Sequence, residues 1–271
     1  MSSRQPTMSY RVDGEQLDIQ DILAQTASTR LEGAARPETI VIMAGGLGQR
    51  MMPLTRHMPK PLLPIAGRPM LEHIICQMIR QGFGRFRLSV RHMADQIKSH
   101  FGDGSQWNVD IGYIDEPDLL GTAGGLAYLD KEGDLPVIVA NADLITDLDY
   151  RRVVDHHLAS DAVLTMCTRE ANFQVPYGVV DTLGNRVLKV EEKPTQSVTI
   201  SAGMYALSPQ TLSHIHEGEV IDMPDFIQDL VAKGEHVASM PIADRWVDVG
   251  RRQTYQALLD HLEELNEQAD T

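Results

Sequence analysis

Cysteine is scarce, with two among 271 residues. Cys76 and Cys167 both lie in apolar runs, so buried free thiols are expected rather than a disulfide. No Cys/His cluster has the spacing of a zinc site. No apolar run approaches the roughly 18 residues that a membrane-spanning helix needs. The first twenty residues carry Asp13, Glu15 and Asp18 and no apolar core, so no secretory signal is expected. Basic residues are outnumbered 24 to 38, a net charge of −14. A nucleic-acid binder usually has the opposite balance, and anionic lipid repels such a chain. The expected setting is therefore cytoplasmic, with neither nucleic acid nor membrane as a partner.

What is present is ordinary globular composition, 42% hydrophobic and 23% charged. The length suits one large or two small domains. Residues 1–37 stand apart as an N-terminal extension. They begin polar, then Leu17, Ile19, Ile22 and Leu23 suggest one short amphipathic helix, with Arg36-Pro37 ending the segment. Residues 38–271 form the expected main domain. Thr39–Ala44 reads as a buried strand, and Met70, Leu71, Ile74, Ile75, Met78 and Ile79 as a helical stripe closed by Gly82 and Gly84. Phe86, Leu88 and Val90 alternate as in a strand, a helix follows over His92–Phe101, and Val109, Ile111 and Tyr113 alternate again. Gly124–Leu129 reads as helical, Pro136–Ala140 as a second buried strand, and Asp149–Ala159 as a helix. This β-α order predicts a mainly parallel sheet with helices on both faces. Beyond residue 160 the spacing predicts strands at Asp161–Thr168 and Thr199–Leu207, with a hairpin over residues 177–191 between them. Helical stripes follow at Phe226, Ile227, Leu230 and Val231, and from Tyr255 to Leu265.

Three glycines, Gly45, Gly46 and Gly48, directly follow the first strand. Glycine lets the backbone turn sharply and aim several N–H groups at one anion. The spacing fits neither a P-loop, which needs a lysine after its last glycine, nor a dinucleotide loop, which needs glycine where Met51 stands. No acidic residue occurs between Thr39 and Leu71, whereas Arg50, Arg56, Lys60 and Arg68 do. In so acidic a chain, this pattern points to a polyphosphate pocket in which Arg50 and Lys60 neutralise charge. Asp143 follows the second buried strand, at the carboxyl end where open parallel sheets bind ligands. Asp248 ends the short run Trp246–Asp248. Either aspartate alone fits a turn or cap. Together they suit Mg²⁺, which takes one or two carboxylates and completes its shell with phosphate and water. At Glu191–Pro194, Lys193 could neutralise a further phosphate while a glutamate accepts sugar hydroxyls. The histidines, among them His156-His157, His214 and His216, show no catalytic spacing.

The run VIMAGGLGQRMMPLTRHMPKPLLPIAGRPMLEHII resembles the signature of the sugar-1-phosphate nucleotidyltransferases, also called nucleoside-diphosphate-sugar pyrophosphorylases. LGTAGG (120–125), NAD (141–143), VPYGVV (175–180), EEKP (191–194), SAGMY (201–205) and WVDVG (246–250) follow in that family's order. The resemblance spans about residues 39–260. It implies a three-layer α/β/α, Rossmann-like core and transfer of a nucleotidyl group from a nucleoside triphosphate to a sugar 1-phosphate, with pyrophosphate leaving and Mg²⁺ required. It implies that Gly45, Gly46, Gly48, Gly121 and Thr122 bind nucleotide, and that Arg50 and Lys60 contact the triphosphate. Asp143 and Asp248 resemble the metal carboxylates. Asn141, Gly178, Glu192, Lys193 and Ser201 fall where the family meets the sugar and its phosphate. Gln49 stands in place of the usual Thr, Met51-Met52 in place of a Leu-x or Met-x pair, Ala142 in place of a common Gly and Ser201 in place of an Asn, without loss of a charged group. Many relatives carry a C-terminal left-handed β-helix with acyltransferase activity, and that activity is not expected here.

Glu116 lies where relatives recognise the base. A carboxylate can accept guanine N1–H and N2–H together, whereas uracil and thymine offer a single N–H between acceptors. With Leu120–Gly125 it resembles the guanylyltransferase branch, so GTP and a hexose 1-phosphate such as mannose 1-phosphate or a glucosamine-type sugar are the expected substrates. A uridylyl- or thymidylyltransferase is the alternative, and a non-catalytic nucleotide-sugar sensor a further one. A homo-oligomer is compatible with the sequence.

Overall fold

The computed structural model describes residues 20–26, 29–130 and 133–269. Helix α1 (Gln20–Gln25) comes first. Its Ile22 and Leu23, together with Leu31, are buried in the main apolar core. Leu17 and Ile19, expected on the same helix, lie outside the described residues. Strand β1 is Arg36–Met43. Arg36 and Pro37 thus open this strand rather than end the preceding segment, with an irregularity in register between Arg36 and Thr39. Proline has no N–H for a ladder, so a shift at that point is the expected accommodation.

After β1 the chain makes short 3₁₀ turns and a small hairpin, β2 (Pro64–Ile65) with β3 (Arg68–Pro69), before helix α2 (Met70–Arg80). All six residues of the predicted stripe on α2 are buried. Gly82 follows the helix, but Gly84 lies inside β4 (Phe83–Val90). A Cβ there would stand 2.6 Å from Ala35 Cβ, so this glycine serves close packing of the N-terminal segment and not helix termination. Helix α3 (Ala94–Phe101) and β5 (Asp110–Asp115) follow. Residues 124–128 form a 3₁₀ turn, then come β6 (Val137–Asn141) and β7 (Leu144–Thr146). Helix α4 (Tyr150–Ser160) is capped by Asp149, whose carboxylate accepts from Arg151 N at 3.0 Å.

Strands β8 (Leu164–Gln174) and β11 (Thr195–Leu207) are longer than predicted, and hairpin β9 (Gly178–Leu183) with β10 (Arg186–Glu192) connects them. Their extra length forms an arm beyond the other strands, in which burial alternates along Arg169–Gln174 of β8, whereas β9 and β10 are exposed almost throughout. Helix α5 (Met223–Ala232), β12 (Val237–Pro241), β13 (Trp246–Asp248) and α6 (Arg252–Ala269) complete the chain. On α5, Phe226 and Leu230 are buried, whereas Val231 is exposed.

The main sheet has seven strands in the order β12-β8-β11-β6-β1-β4-β5. Only β11 runs antiparallel to its neighbours. Side chains of β1 alternate between two cores. Ile40 and Ile42 meet α2, α4 and α6 on one side. Val41 meets Phe226 and Leu230 of α5 on the other. This is the expected three-layer α/β/α arrangement. Cys76 and Cys167 are buried free thiols, and burial pushes them up to about 11 and about 12. No helix among the described residues is long and apolar enough to cross a membrane.

Candidate active site

Two cavities open at the carboxyl ends of β1 and β6. One, of about 430 Å³, is lined by the glycine loop, Lys60, Glu116, Gly121 and Asn141. The other, of about 560 Å³, is lined by Ser201, Arg169, Trp246 and Asp248 among others. Arg50, Thr122, Asn141 and Asp143 border both. The two cavities therefore adjoin at these four residues.

The glycine loop takes its shape from its neighbours. Gly48 has φ +63°, and its carbonyl accepts the Thr55 hydroxyl at 2.9 Å. Gly45 packs over Glu116, where a Cβ would come within 2.8 Å of Oε1. Glu116 is 9% exposed, and its Oε1 accepts the Ser89 hydroxyl at 2.6 Å. Burial raises its pKa above the ordinary 4.5, against the pull of Ser89, the Leu120 N–H and Arg91. Thr122 is tied down structurally: its N–H donates to Asp222 Oδ1 at 2.9 Å, and its hydroxyl accepts from Met223 N at 2.8 Å.

Asp143 and Asp248 come together on one small ribbon. Strands β7 and β13 pair antiparallel, with Asp248 opposite Leu144, and Val249 N donates to the Asp143 carbonyl at 2.9 Å. A Cβ on Gly250 would lie 2.6 Å from both Asp143 Oδ2 and Asp248 Oδ1, so only glycine leaves room between the two carboxylates. Lys60 forms an ion pair with Asp143, and both side chains are 14% exposed. Burial, then the Asp143 charge, raise the pKa of Asp248; the Gly250 N–H, Lys60 and Arg50 act in the opposite direction. Arg50 is itself exposed at the cavity rim. Among the described residues, no group of three or more His, Cys, Asp or Glu side chains could hold a metal ion.

A family model described as nucleotidyl transferase matches residues 39–266. The chain belongs to the nucleotidyl transferase family. A UTP–glucose-1-phosphate uridylyltransferase from Synechocystis sp. is 31% identical over 79% of this chain and 61% of its own length. A mannose-1-phosphate guanylyltransferase from Mycobacterium tuberculosis is 30% identical over 78% of this chain and 60% of its own length. The chain thus spans about 60% of these curated relatives. Among solved structures, HddC from Yersinia pseudotuberculosis is similar with a TM-score of 0.63 and 26% identity, covering 83% of this chain and 99% of that one. Its complex with GMP-PN gives 0.62 and 25%, with the same coverage.

Against this nucleotidyl transferase frame, the residues read from the sequence divide into two groups. Gly45, Gly46, Gly48, Arg50, Lys60, Glu116, Gly121, Thr122, Asn141 and Asp143 line the smaller cavity, and Asp248 and Ser201 line the larger. The Ser201 hydroxyl is 2.9 Å from the Tyr205 hydroxyl. Gly178, Glu192 and Lys193 are brought together on the exposed arm, where Glu192 pairs with Gly178 across the hairpin, but they line neither cavity. Arg169, Tyr205 and Trp246 border the larger cavity without having been singled out by the sequence. Trp246 stands two residues before Asp248 on β13, so strand alternation from a recognised site residue could have found it. Arg169 is identified only by the pairing of β8 with β11. The buried histidines are satisfied in the core: His157 lies 2.9 Å from Thr165 Oγ1, and His73 lies 2.8 Å from Thr26 Oγ1.

Proposed function

We propose that this chain transfers a nucleoside monophosphate from GTP to a hexose 1-phosphate, mannose 1-phosphate or a glucosamine-type sugar, in the cytoplasm, with residues 38–271 as the catalytic domain. The carrying observation is that a cavity floored by Glu116 and a second cavity meet at Asp143, which faces Asp248 and is paired with Lys60. The acceptor is a phosphate monoester with a second pKa of about 6, so it is already mostly dianionic at neutral pH and needs no general base. An oxygen of that phosphate attacks the α-phosphorus of the triphosphate. The bond to the bridging β-oxygen breaks, and pyrophosphate leaves with the electron pair. Two unit charges about 4 Å apart repel by about 4 kcal/mol at an effective dielectric of 20, and several such pairs meet here. Lys60 and Arg50 offset that repulsion, and the glycine-loop N–H groups fix the triphosphate. The two carboxylates are hard oxygen donors that fit Mg²⁺, with substrate phosphates completing the shell. When bound there, the ion supplies charge neutralisation at the phosphates. The Synechocystis relative favours UTP as the alternative nucleotide.

The test offers GTP, UTP, dTTP and CTP in competition for each of several hexose 1-phosphates and identifies the product by mass. GDP-sugar is expected to dominate. A dominant UDP-sugar would remove the role given to Glu116.

Glu116 also gives a pH dependence. Guanine recognition needs the carboxylate, which is present above the raised pKa and lost as pH falls through it. The KM for GTP is therefore expected to climb at a higher pH than an ordinary carboxylate would allow, and Glu116→Gln is expected to flatten that profile. An acid whose pKa rises on folding costs stability above that pKa. Metal-free Glu116→Gln is therefore expected to melt above the wild type at pH 7, with the difference shrinking as pH falls towards 4.5. An unchanged KM profile and melting temperature would contradict both expectations.

Gly45→Ala would press a methyl group against Glu116. Overpacking of this kind costs about 1–3 kcal/mol, so nucleotide binding about tenfold weaker is expected by titration calorimetry. Wild-type affinity would show that Glu116 does not shape the base pocket.

A further inference from the structure

The larger cavity holds a cation to which the reaction scheme above gives no task. Arg169 on β8 pairs with Ile200 on β11. Its guanidinium is stacked 4.9 Å from the centre of the Trp246 ring. Its Nη1 donates one long bond, 3.4 Å, to the Trp246 carbonyl. It forms no ion pair with a carboxylate among the described residues, and burial alone holds its pKa below the usual arginine value. A guanidinium carries five N–H donors in a planar fork suited to phosphate. One weak bond leaves most of that fork unused while the group is partly desolvated.

The fork is also fixed in place. The Trp246 indole N–H donates to the Ala202 carbonyl at 2.9 Å, which anchors the ring on which Arg169 lies. Trp246 and Asp248 are alternate residues of β13 and share a face, about 7 Å apart along the strand. The other cations of this cavity are committed elsewhere. Arg50 is shared with the smaller cavity, and Arg251 is exposed and already engaged in an interaction of its own. Lys193, assigned to the acceptor phosphate by resemblance, sits on the exposed arm and lines neither cavity.

We infer that Arg169 is the receptor for the acceptor's phosphate: its fork holds the phosphate of the sugar 1-phosphate beside Asp143 and Asp248, while Lys60 and Arg50 hold the triphosphate. This rests on the nucleotidyltransferase reading above. Separate cations for the two anions keep the acceptor from competing for the triphosphate site, and the stacked, preorganised fork sets the direction of its approach.

The test uses the two tryptophans of the chain, Trp107 and Trp246. Trp107→Phe leaves Trp246, in contact with Arg169, as the sole indole emitter. Titration of that protein with inorganic phosphate, and separately with mannose 1-phosphate, both without nucleotide, is expected to give a saturable change in emission. Adding Arg169→Gln is expected to weaken the response at least about tenfold, and Arg169→Lys to restore part of it. In steady state, Arg169→Gln is expected to raise the KM for the sugar 1-phosphate by at least about tenfold, with the KM for the nucleotide within about twofold of wild type. An equal rise in both KM values would make Arg169 a brace for β13 and overturn the inference. So would an unchanged acceptor KM in an active enzyme. If the wild type releases no pyrophosphate with any substrate pair yet shows an Arg169-dependent phosphate response, the anion site stands and the assigned reaction falls. If emission does not depend on Arg169, the anion site itself is refuted.

Discussion

Lys60→Ala is expected to lower turnover by about 10²–10³-fold while leaving the KM for nucleotide much closer to the wild-type value. Losing one preorganised donor to developing charge costs rates of that order. In the proposed reaction the developing charge is on the departing pyrophosphate, and Lys60 lines the cavity proposed for the triphosphate. Lys60 has a second task, because its ion pair with Asp143 is mostly shielded from water. Removing it leaves two carboxylates facing each other across Gly250 with less compensation. The metal-free variant is therefore expected to melt below the wild type, and magnesium to recover more of its stability than it adds to the wild type. Arg50→Ala separates the two effects. Arg50 is exposed and forms no ion pair with a carboxylate among the described residues, so its loss is expected to reduce turnover with little change in melting temperature. Initial rates of pyrophosphate release and thermal melts check both variants. A folded Arg50→Ala enzyme with full activity would remove that residue from the mechanism.

Asp143→Asn and Asp248→Asn are expected to shift the magnesium needed for half-maximal rate upward by more than about tenfold. Even partners that only orient metal ligands are worth about 10–100-fold in metal affinity. The two variants should not be equivalent. Asp143→Asn also frees Lys60 from its ion pair, whereas Asp248→Asn removes a carboxylate whose pKa burial, and then the Asp143 charge, raise. Asp143→Asn is thus expected to carry the larger loss of turnover. Because both changes act on one site, the double variant should lose less than the product of the single losses. Titration of initial rate against magnesium tests this directly, and curves that coincide with the wild type would show that the pair holds no catalytic metal.

Much of the fold could be read from residue spacing because local spacing was enough. The stripe on α2, the continuous apolar run of β1 and the alternation of Phe86, Leu88 and Val90 on β4 report one- or two-sided burial. The ribbon of β7 and β13 was not legible as a pair: three residues carry too little periodicity, and their pairing joins positions about a hundred residues apart. Yet that ribbon is what brings Asp143 to Asp248. The individual letters of the site were visible in the glycine loop, in Lys60 and in the two aspartates. Their convergence was expected from the family resemblance and not from spacing, because it depends on non-local pairing. The arm marks the opposite limit. Gly178, Glu192 and Lys193 could be read as a cluster, and the hairpin does bring them together, but nothing in their spacing says how the arm stands relative to the cavities.

The most direct measurement is a paired assay of pyrophosphate release and nucleotide-sugar formation by the purified chain with GTP, magnesium and a panel of hexose 1-phosphates. One pyrophosphate for each nucleotide-sugar, abolished by omitting either magnesium or the sugar 1-phosphate, is the predicted result. Tight nucleotide binding with no pyrophosphate released from any pair would contradict it and leave a nucleotide-sugar sensor in place of an enzyme.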